Sequence, residues 1–350
     1  MSLNEVGGDP GRFGVAPSEF HQAMTVTQQE WPATMLASST HDTKRSEDVR
    51  ARIALLSEIP DHFAQAVQRW SATNEPRRHF LPDGDTWPDR NLEWLLYQTL
   101  VGAWPLSADR AVTYVEKATR EAKVHTSWID PVAAYDEAVR RFVEGALSDD
   151  TFVADLEAFV ASIDEAGQTN ALAAQLVKLT APGVPDLYQG TELWDHSLVD
   201  PDNRRPVDFE RRARLLAGLD SLGPAEILGA AADGLPKLHL TRTALHLRRR
   251  TPEVFGPGEP GRYRPLPLTG GAAGHAVAFS RGHEVVTIVP RLVLGLERRG
   301  GWGDTSTQLP SGRWCNLITG AVLRGGPVSL ARLLGTFPVA LLARTEASPS

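Results

Sequence analysis

The chain has 350 residues, 42% of them hydrophobic and 23% charged, with a formal net charge of −7. That length accommodates two or three domains with substantial cores, and the acidic balance gives no electrostatic reason to bind nucleic acid or an anionic membrane. The single cysteine, Cys315, excludes an internal disulfide and a cysteine-based metal cluster. No apolar stretch reaches the roughly 20 residues that cross a bilayer. Met1-Ser2-Leu3-Asn4-Glu5 also lacks the charged and apolar regions of a signal peptide, so a cytoplasmic protein is expected.

Residues 1 to about 30 read as irregular, with Gly7-Gly8-Asp9-Pro10-Gly11 and Phe13-Gly14 forcing turns. Residues 32–40 are the first strand candidate. A helix then starts at Ser46, a natural N-cap with Glu47 and Asp48 in the positive first turn, and Val49, Ile53 and Leu56 form its buried stripe. From Asp61 to about Asp164 the pattern is helical, broken only by the Pro- and Gly-bearing segment from Glu75 to Pro88. Leu92, Leu96, Leu100 and Ala103 share one face of a helix that Pro105 ends, Ser107 caps the next, Asp130-Pro131 signals a third and Ser148 a fourth. Thr169–Thr180 reads as a helix, Val184–Gln189 as a short strand, and Gly190–Pro206 as a polar, aromatic loop. Asp208 caps a further helix and Pro236 begins another. Past Thr251 short alternating runs, among them His275–Ser280, Glu284–Val289, Trp314–Ile318 and Pro338–Ala343, read as an antiparallel sandwich. Only two strand-helix units precede it, too few for the eight of a complete (β/α)₈ barrel.

The chemistry-bearing stretch is Ser39-Thr40-His41-Asp42-Thr43-Lys44-Arg45-Ser46-Glu47-Asp48, which joins a strand candidate to a capped helix. Connections of that kind carry the reactive side chains of α/β enzymes. The residues by themselves fit a hydrogen-bonded loop equally well. The stretch resembles the segment after the seventh barrel strand in the α-amylase superfamily, and more narrowly the maltooligosyl trehalose synthases. Four other stretches resemble the same family in the same order: Asn4-Glu5-Val6-Gly7-Gly8-Asp9-Pro10, Arg120-Glu121-Ala122-Lys123 with His125-Thr126-Ser127-Trp128, Pro185-Asp186-Leu187-Tyr188-Gln189-Gly190-Thr191-Glu192-Leu193-Trp194-Asp195, and Asp200-Pro201-Asp202-Asn203-Arg204-Arg205-Pro206. The resemblance covers nearly the whole chain, more loosely after Leu235, and corresponds to roughly the C-terminal half of such an enzyme.

The resemblance implies an α+β fold: the C-terminal part of a (β/α)₈ barrel with a large helical insertion, followed by an antiparallel β-sandwich domain. The boundaries expected are 1–60 for the partial barrel, 61–165 for the helical subdomain, 166–235 for the end of the barrel and 236–350 for the β domain. It implies an intramolecular transglucosylation that turns the reducing-end α-1,4 link of a maltooligosaccharide into an α,α-1,1 link, with no cofactor or metal. Retaining glycoside chemistry uses two carboxyl groups about 5 Å apart, and no segment here resembles the family's nucleophile or acid/base. Asp42 matches the third carboxylate, which holds ring hydroxyls of the reacting sugar, and His41 would donate to the same hydroxyls. Lys44 and Arg45 would reach a neighbouring sugar or hold carboxylates ionised; Arg45 is equally a surface group or ion-pair partner. Asp202 and Arg204 would contact sugar or catalytic acids, against an internally stapled turn. Trp128 would enclose one end of the oligosaccharide, against a packed core indole. The helical subdomain and the loop after Gly190 are the expected walls that exclude water.

The rival expectation is a truncated or split-enzyme half, silent alone and binding only glucan or a partner chain, such as a missing N-terminal half. A hydrolysing or branching amylase relative would share His41-Asp42 but not the long continuation to Arg52. Gly256, Gly258 and Gly261 match a nucleotide-loop spacing, but Pro257 and Pro260 interrupt it and no strand-to-helix context surrounds it. The Asp200 loop lacks the glycine and distal glutamate of a calcium-binding loop.

Overall fold

The computed structural model describes residues 3–82 and 84–345. Pro17 at the first helical position and Glu19 in the first turn start α1 (Pro17–Glu30), so the N-terminal stretch is irregular only as far as residue 16. The strand candidate at 32–40 contracts to β1 (Met35–Leu36). Ser46 takes the N-cap position of α2 (Glu47–Ala54), and α3 (Pro60–Asn74) follows. A hairpin of β2 (His79–Phe80) and β3 (Thr86–Trp87) fills the break in the helical pattern. Then come α4 (Arg90–Ala103), α5 (Ala108–Ala122), α6 (Ala133–Leu147), α7 (Asp150–Ala161) and α8 (Asp164–Thr180).

Three helix starts differ from the sequence reading, and one of them is α8, which begins at Asp164 and not at Thr169. The Asp130 N–H is taken by Ser127 Oγ at 2.9 Å and the Val132 N–H by Thr126 Oγ1 at 3.1 Å, so the chain turns at Asp130-Pro131 and α6 begins beyond it. His125–Trp128 accordingly lie in the α5–α6 loop. Ser148 closes α6, while Asp149 is the cap of α7 and accepts from the Phe152 N–H.

After α8 the chain forms β4 (Val184–Pro185), shorter than the apolar run 184–189, then α9 (Phe209–Gly218), capped by Asp208 as expected, α10 (Pro224–Gly229), α11 (Leu235–Arg250) and α12 (Pro252–Phe255). The remainder comprises β5 (Tyr263–Pro265), β6 (Leu268–Thr269), β7 (Ala276–Arg281), β8 (Val285–Pro290), α13 (Val293–Arg298), β9 (Ser306–Asn316), β10 (Val322–Ser329), α14 (Leu330–Leu333) and β11 (Ala340–Thr345).

The chain divides into two compact units. One gathers residues 3–11, His41–Gly167 and His196–Arg205. Its core is aromatic: the Trp70 ring meets Tyr97, Phe152 and Phe159 edge-on at centroid distances of 5.5, 6.1 and 5.4 Å. The Trp70 indole N–H is satisfied by Asp155 at 2.9 Å. Helix α4 is buried on almost every side, the mark of a central helix. Its Gly102 lets α2 approach closely, since a Cβ there would lie 2.6 Å from Ile53. The buried Glu93 carboxylate is answered by Arg78 at 2.7 Å, by the Tyr97 hydroxyl at 2.9 Å and by Arg90 at 2.7 Å. Burial works to raise its pKa, but the hydrogen bonds from Arg90 and Tyr97 and the Arg78 charge hold it below the ordinary glutamate value.

The other unit comprises Arg12–Thr40, Gln168–Asp195 and residues 206–345. In it β1 and β4 pair in parallel, Met35 opposite Val184. The C-terminal strands form one seven-stranded sheet in the order β10-β9-β11-β8-β7-β5, with β6 on β9, and every pairing is antiparallel. The antiparallel character expected is present, as one continuously hydrogen-bonded sheet. Its central strand β8 is buried at every residue, Thr287 included, so the alternation read over Glu284–Val289 is not found there: both faces of this strand are covered. Val285, Val289 and Leu341 pack with α8, α11 and α12, while Val286, Ile288, Leu342 and Trp314 pack in a second cluster. No helix of the described residues is long and apolar enough to cross a membrane.

Candidate functional site

The His41-Asp42 turn precedes α2, in the unit that also holds residues 3–11 and 196–205. Apolar packing of Val49 and Ile53 fixes α2, and Ser46 fixes its start: the Ser46 N–H donates to the Ser197 carbonyl at 3.0 Å and Arg45 bridges to Leu198. The turn ahead of it has no ladder of its own, so its backbone groups find partners in remote segments. Both Glu5 oxygens accept from the Lys44 N–H, at 2.8 and 2.9 Å, and one lies 3.4 Å from the Arg45 N–H. The Asn203 side-chain amide donates to the His41 carbonyl at 3.0 Å. Three of the motifs singled out in the sequence therefore meet at one turn.

His41 Nε2 lies 3.3 Å from Asp42 Oδ2, and the two side chains are 55% and 69% exposed. This pair presents itself to solvent while its backbone is tied down. Arg45 does the reverse. It is 3% exposed, its guanidinium donates to the Tyr114 hydroxyl at 2.6 Å and to Thr99 Oγ1 at 3.3 Å, and it lies over the Tyr114 ring. Arg45 is thus not a surface group, and among the described residues no ion pair of it is found; it anchors the turn to α4 and α5. Lys44 stays half-exposed, 3.9 Å from Glu121. A cleft of about 540 Å³ opens here, lined by Glu5, Lys44, Arg45, Tyr114, Lys117 and Glu121 with apolar neighbours that include Leu95 and Val199.

The Asp200–Arg205 loop separates its charged residues into two groups. Asp202 is 11% exposed, and Arg110 grips it with Nε to Oδ1 at 2.7 Å and Nη2 to Oδ2 at 2.8 Å, while the Leu198 N–H adds a bond at 2.8 Å. Burial works to raise its pKa; the hydrogen bonds from Arg110 and Leu198 overcome that and hold Asp202 below the ordinary aspartate range. Asp202 is the staple of this loop. Arg204, by contrast, is 53% exposed and pairs with Asp200 at 2.8 Å, and the Lys117 ammonium holds the Asp200 carbonyl at 2.7 Å. Trp128 is 57% exposed on the α5–α6 loop, with the Arg120 guanidinium 4.8 Å over its ring, so it is not a core indole. Sequence reasoning gave no role to Glu5, Arg110, Lys117, Asp200 or Asn203; Glu5, Asp200 and Asn203 lie inside motifs it quoted. Among the described residues no group of three or more His, Cys, Asp or Glu side chains is arranged to hold a metal ion.

No protein-family model matches the chain. It is 40% identical over 354 aligned positions, 99% of its length, to a putative maltooligosyl trehalose synthase of Mycobacterium tuberculosis, of which it covers 42%. Among solved structures it is similar to the maltooligosyltrehalose synthase of Arthrobacter ramosus, at a TM-score of 0.87 and 40% identity over 98% of this chain and 43% of that one. It is also similar to a hypothetical maltooligosyl trehalose synthase of Sulfolobus tokodaii, at 0.77 and 30% identity over 98% and 43%. The resemblance read in the sequence is thereby borne out, and the chain spans about two fifths of the length of the relatives it matches.

Proposed function

We propose that this chain, a relative of the maltooligosyl trehalose synthases along its whole length, works as the C-terminal portion of such an enzyme, supplying the sugar-holding aspartate, Asp42, to a reaction whose nucleophile and acid/base sit on an N-terminal portion. The observation that carries this reading is the convergence of three family-like segments on the exposed His41-Asp42 turn. In the proposed reaction the link to the reducing-end glucose breaks and the remaining glycosyl unit is held on a carboxylate. The released glucose then turns so that its anomeric hydroxyl attacks in place of its 4-hydroxyl. Asp42 would accept from ring hydroxyls as positive charge develops on the sugar, with His41 donating beside it. Interactions that strengthen only in the transition state are the ones that accelerate.

On this reading β1 and β4 are the seventh and eighth barrel strands, adjacent and parallel as that role requires. The helices of 61–165 are the insertion between them, residues 166–235 end the barrel, and the antiparallel sheet within 236–350 is the C-terminal β domain. Lys44 and the exposed Arg204–Asp200 pair are the sugar contacts, because Asp202 and Arg45 are already committed to Arg110 and Tyr114. Trp128, with one face under Arg120, offers the other to a pyranose ring. No cofactor is called for.

The test is to mix the purified chain with the N-terminal portion of the Arthrobacter ramosus enzyme and supply maltopentaose. The expected result is loss of reducing ends in the mixture and none with either part alone. Conversion by this chain alone, or a stable complex of the two parts that leaves maltopentaose unchanged, overturns it.

A further inference from the structure

We propose that Glu5 and Asn203 are the positioning residues of the Asp42 turn, acting from two distant segments to fix where the carboxylate stands; this rests on the reading of Asp42 given above. Residues 41–44 lie outside any helix or strand, and Arg45 forms an isolated bridge to Leu198, so contacts from remote segments help to set the backbone here. Glu5 closes one end. A carboxylate that accepts backbone N–H groups makes charge-assisted bonds, roughly twice as strong as neutral ones. Here it takes the amide two residues past Asp42 with both oxygens. Asn203 closes the other end at the carbonyl of His41, the residue before Asp42. Asp42 therefore lies between two clamped peptide groups, and its exposed side chain stands 3.3 Å from His41 Nε2.

The local sequence around each clamp is built to present it. Gly8 donates to the Glu5 carbonyl at 2.8 Å, closing a turn in which Gly7 has φ +74°, the left-handed position that a type II turn reserves for glycine. A Cβ on Gly8 would lie 2.6 Å from the Leu3 carbonyl. The Val6 N–H returns to Glu5 Oε1 at 3.0 Å, which orients the carboxylate. Glu5-Val6-Gly7-Gly8 is thus a device for aiming one carboxylate. Asn203 is equally fixed: it lies in a single helical turn, Asp202–Arg204, whose first residue is stapled to Arg110.

Amide hydrogen exchange on this chain tests the clamp directly. Glu5→Ala is expected to speed exchange of the Lys44 and Arg45 amides at least tenfold, with Glu5→Gln falling between it and the parent. Amides of α4 and the melting temperature should stay unchanged. In the assembled two-part enzyme, Glu5→Ala and Asn203→Ala are expected to lower kcat ten- to a hundredfold while KM moves less than threefold, with partial recovery in Glu5→Gln. Parental exchange at Lys44 and Arg45 in Glu5→Ala, exchange loosened throughout the unit, or an unchanged kcat despite local loosening overturns the proposal. Failure of the functional reading is a separate result: the parental mixture forms no non-reducing product, while exchange still reports whether Glu5 holds the turn.

Discussion

Arg110 and Asp202 face each other fork to fork, Nε to Oδ1 at 2.7 Å and Nη2 to Oδ2 at 2.8 Å, with side chains only 21% and 11% exposed. The pair ties α5 to the Asp200 loop. Arg110→Ala removes both forked bonds and leaves Asp202 with the half-exposed Arg205 at 3.0 Å and the Leu198 N–H at 2.8 Å, so it is expected to cost about 2 kcal/mol. Asp202→Ala should cost a similar amount, and the double variant less than the sum. Urea unfolding of the four proteins measures the coupling. The Asp202 pKa is depressed in the folded state, so its contribution is present above the unfolded aspartate value of about 3.9 and is lost as pH falls through the lower folded value. The gap between parent and Arg110→Ala should hold from pH 7 to about pH 4 and close below it.

Gly102 in α4 gives a prediction in which two effects oppose. Alanine is favoured over glycine inside a helix by about 1 kcal/mol. A Cβ at this position, however, would stand 2.6 Å from Ile53 Cγ1 and 2.8 Å from Val49 Cγ1. Those atoms belong to β-branched side chains packed in the core and cannot swing away, and overpacking costs about 1–3 kcal/mol. Gly102→Ala should therefore melt below the parent.

Two arginines close the C-terminal end of α8. Arg281, 1% exposed, donates to the carbonyls of Thr180 at 3.1 Å and Gly261 at 2.9 Å, and Arg248 donates to those of Leu179 at 3.0 Å and Gly183 at 3.1 Å. Carbonyls at that end lack partners within the helix and carry its negative pole. Burial, with the Arg248 charge nearby, brings the Arg281 pKa down to about 10, yet it stays protonated at neutral pH. Arg281→Ala strips donors from buried carbonyls and opens a cavity, for a loss of about 3 kcal/mol by thermal unfolding.

His21 and His239 should give the protein a stability step above the carboxylate range. His21 Nδ1 lies 2.6 Å from the Tyr263 hydroxyl, and His239 Nε2–H donates to the Ile318 carbonyl at 3.0 Å. Burial lowers both pKa values. Below the unfolded histidine value of about 6.5 the unfolded chain takes up protons that these sites resist. Stability is therefore full above that pH and falls as pH drops toward the folded values. His239→Gln should flatten part of the slope of melting temperature between pH 7 and pH 5.

The helices of residues 60–161 were legible because each buries a periodic apolar stripe, and Asp208 announced α9 as a local cap. α1 was missed although Pro17 and Glu19 mark its start, because none of its residues is fully buried and its periodic signal is weak. β1 and β4 came out short because a two-residue ladder is set by the partner strand, here 149 positions away, and not by its own composition. The site divides along the same line. His41-Asp42 stood out as residue types before a capped helix. That Asp202 is consumed and Arg204 exposed depends on Arg110, 92 positions upstream. Glu5 reaches the turn by a side-chain to backbone contact across 39 positions, which leaves no periodicity or spacing to read.

The central claim is that Asp42 acts on the transition state of a reaction completed by a second portion of chain. Its most direct measurement is the rate of non-reducing product formation from maltopentaose by this chain joined to the N-terminal portion of a relative, comparing Asp42 with Asp42→Asn. Transition-state hydrogen bonding and ring distortion together amount to several kcal/mol, and each 1.36 kcal/mol is a factor of ten, so the account predicts a fall in kcat of roughly 10³-fold with substrate binding retained. An Asp42→Asn enzyme that forms product at the parental rate would contradict it.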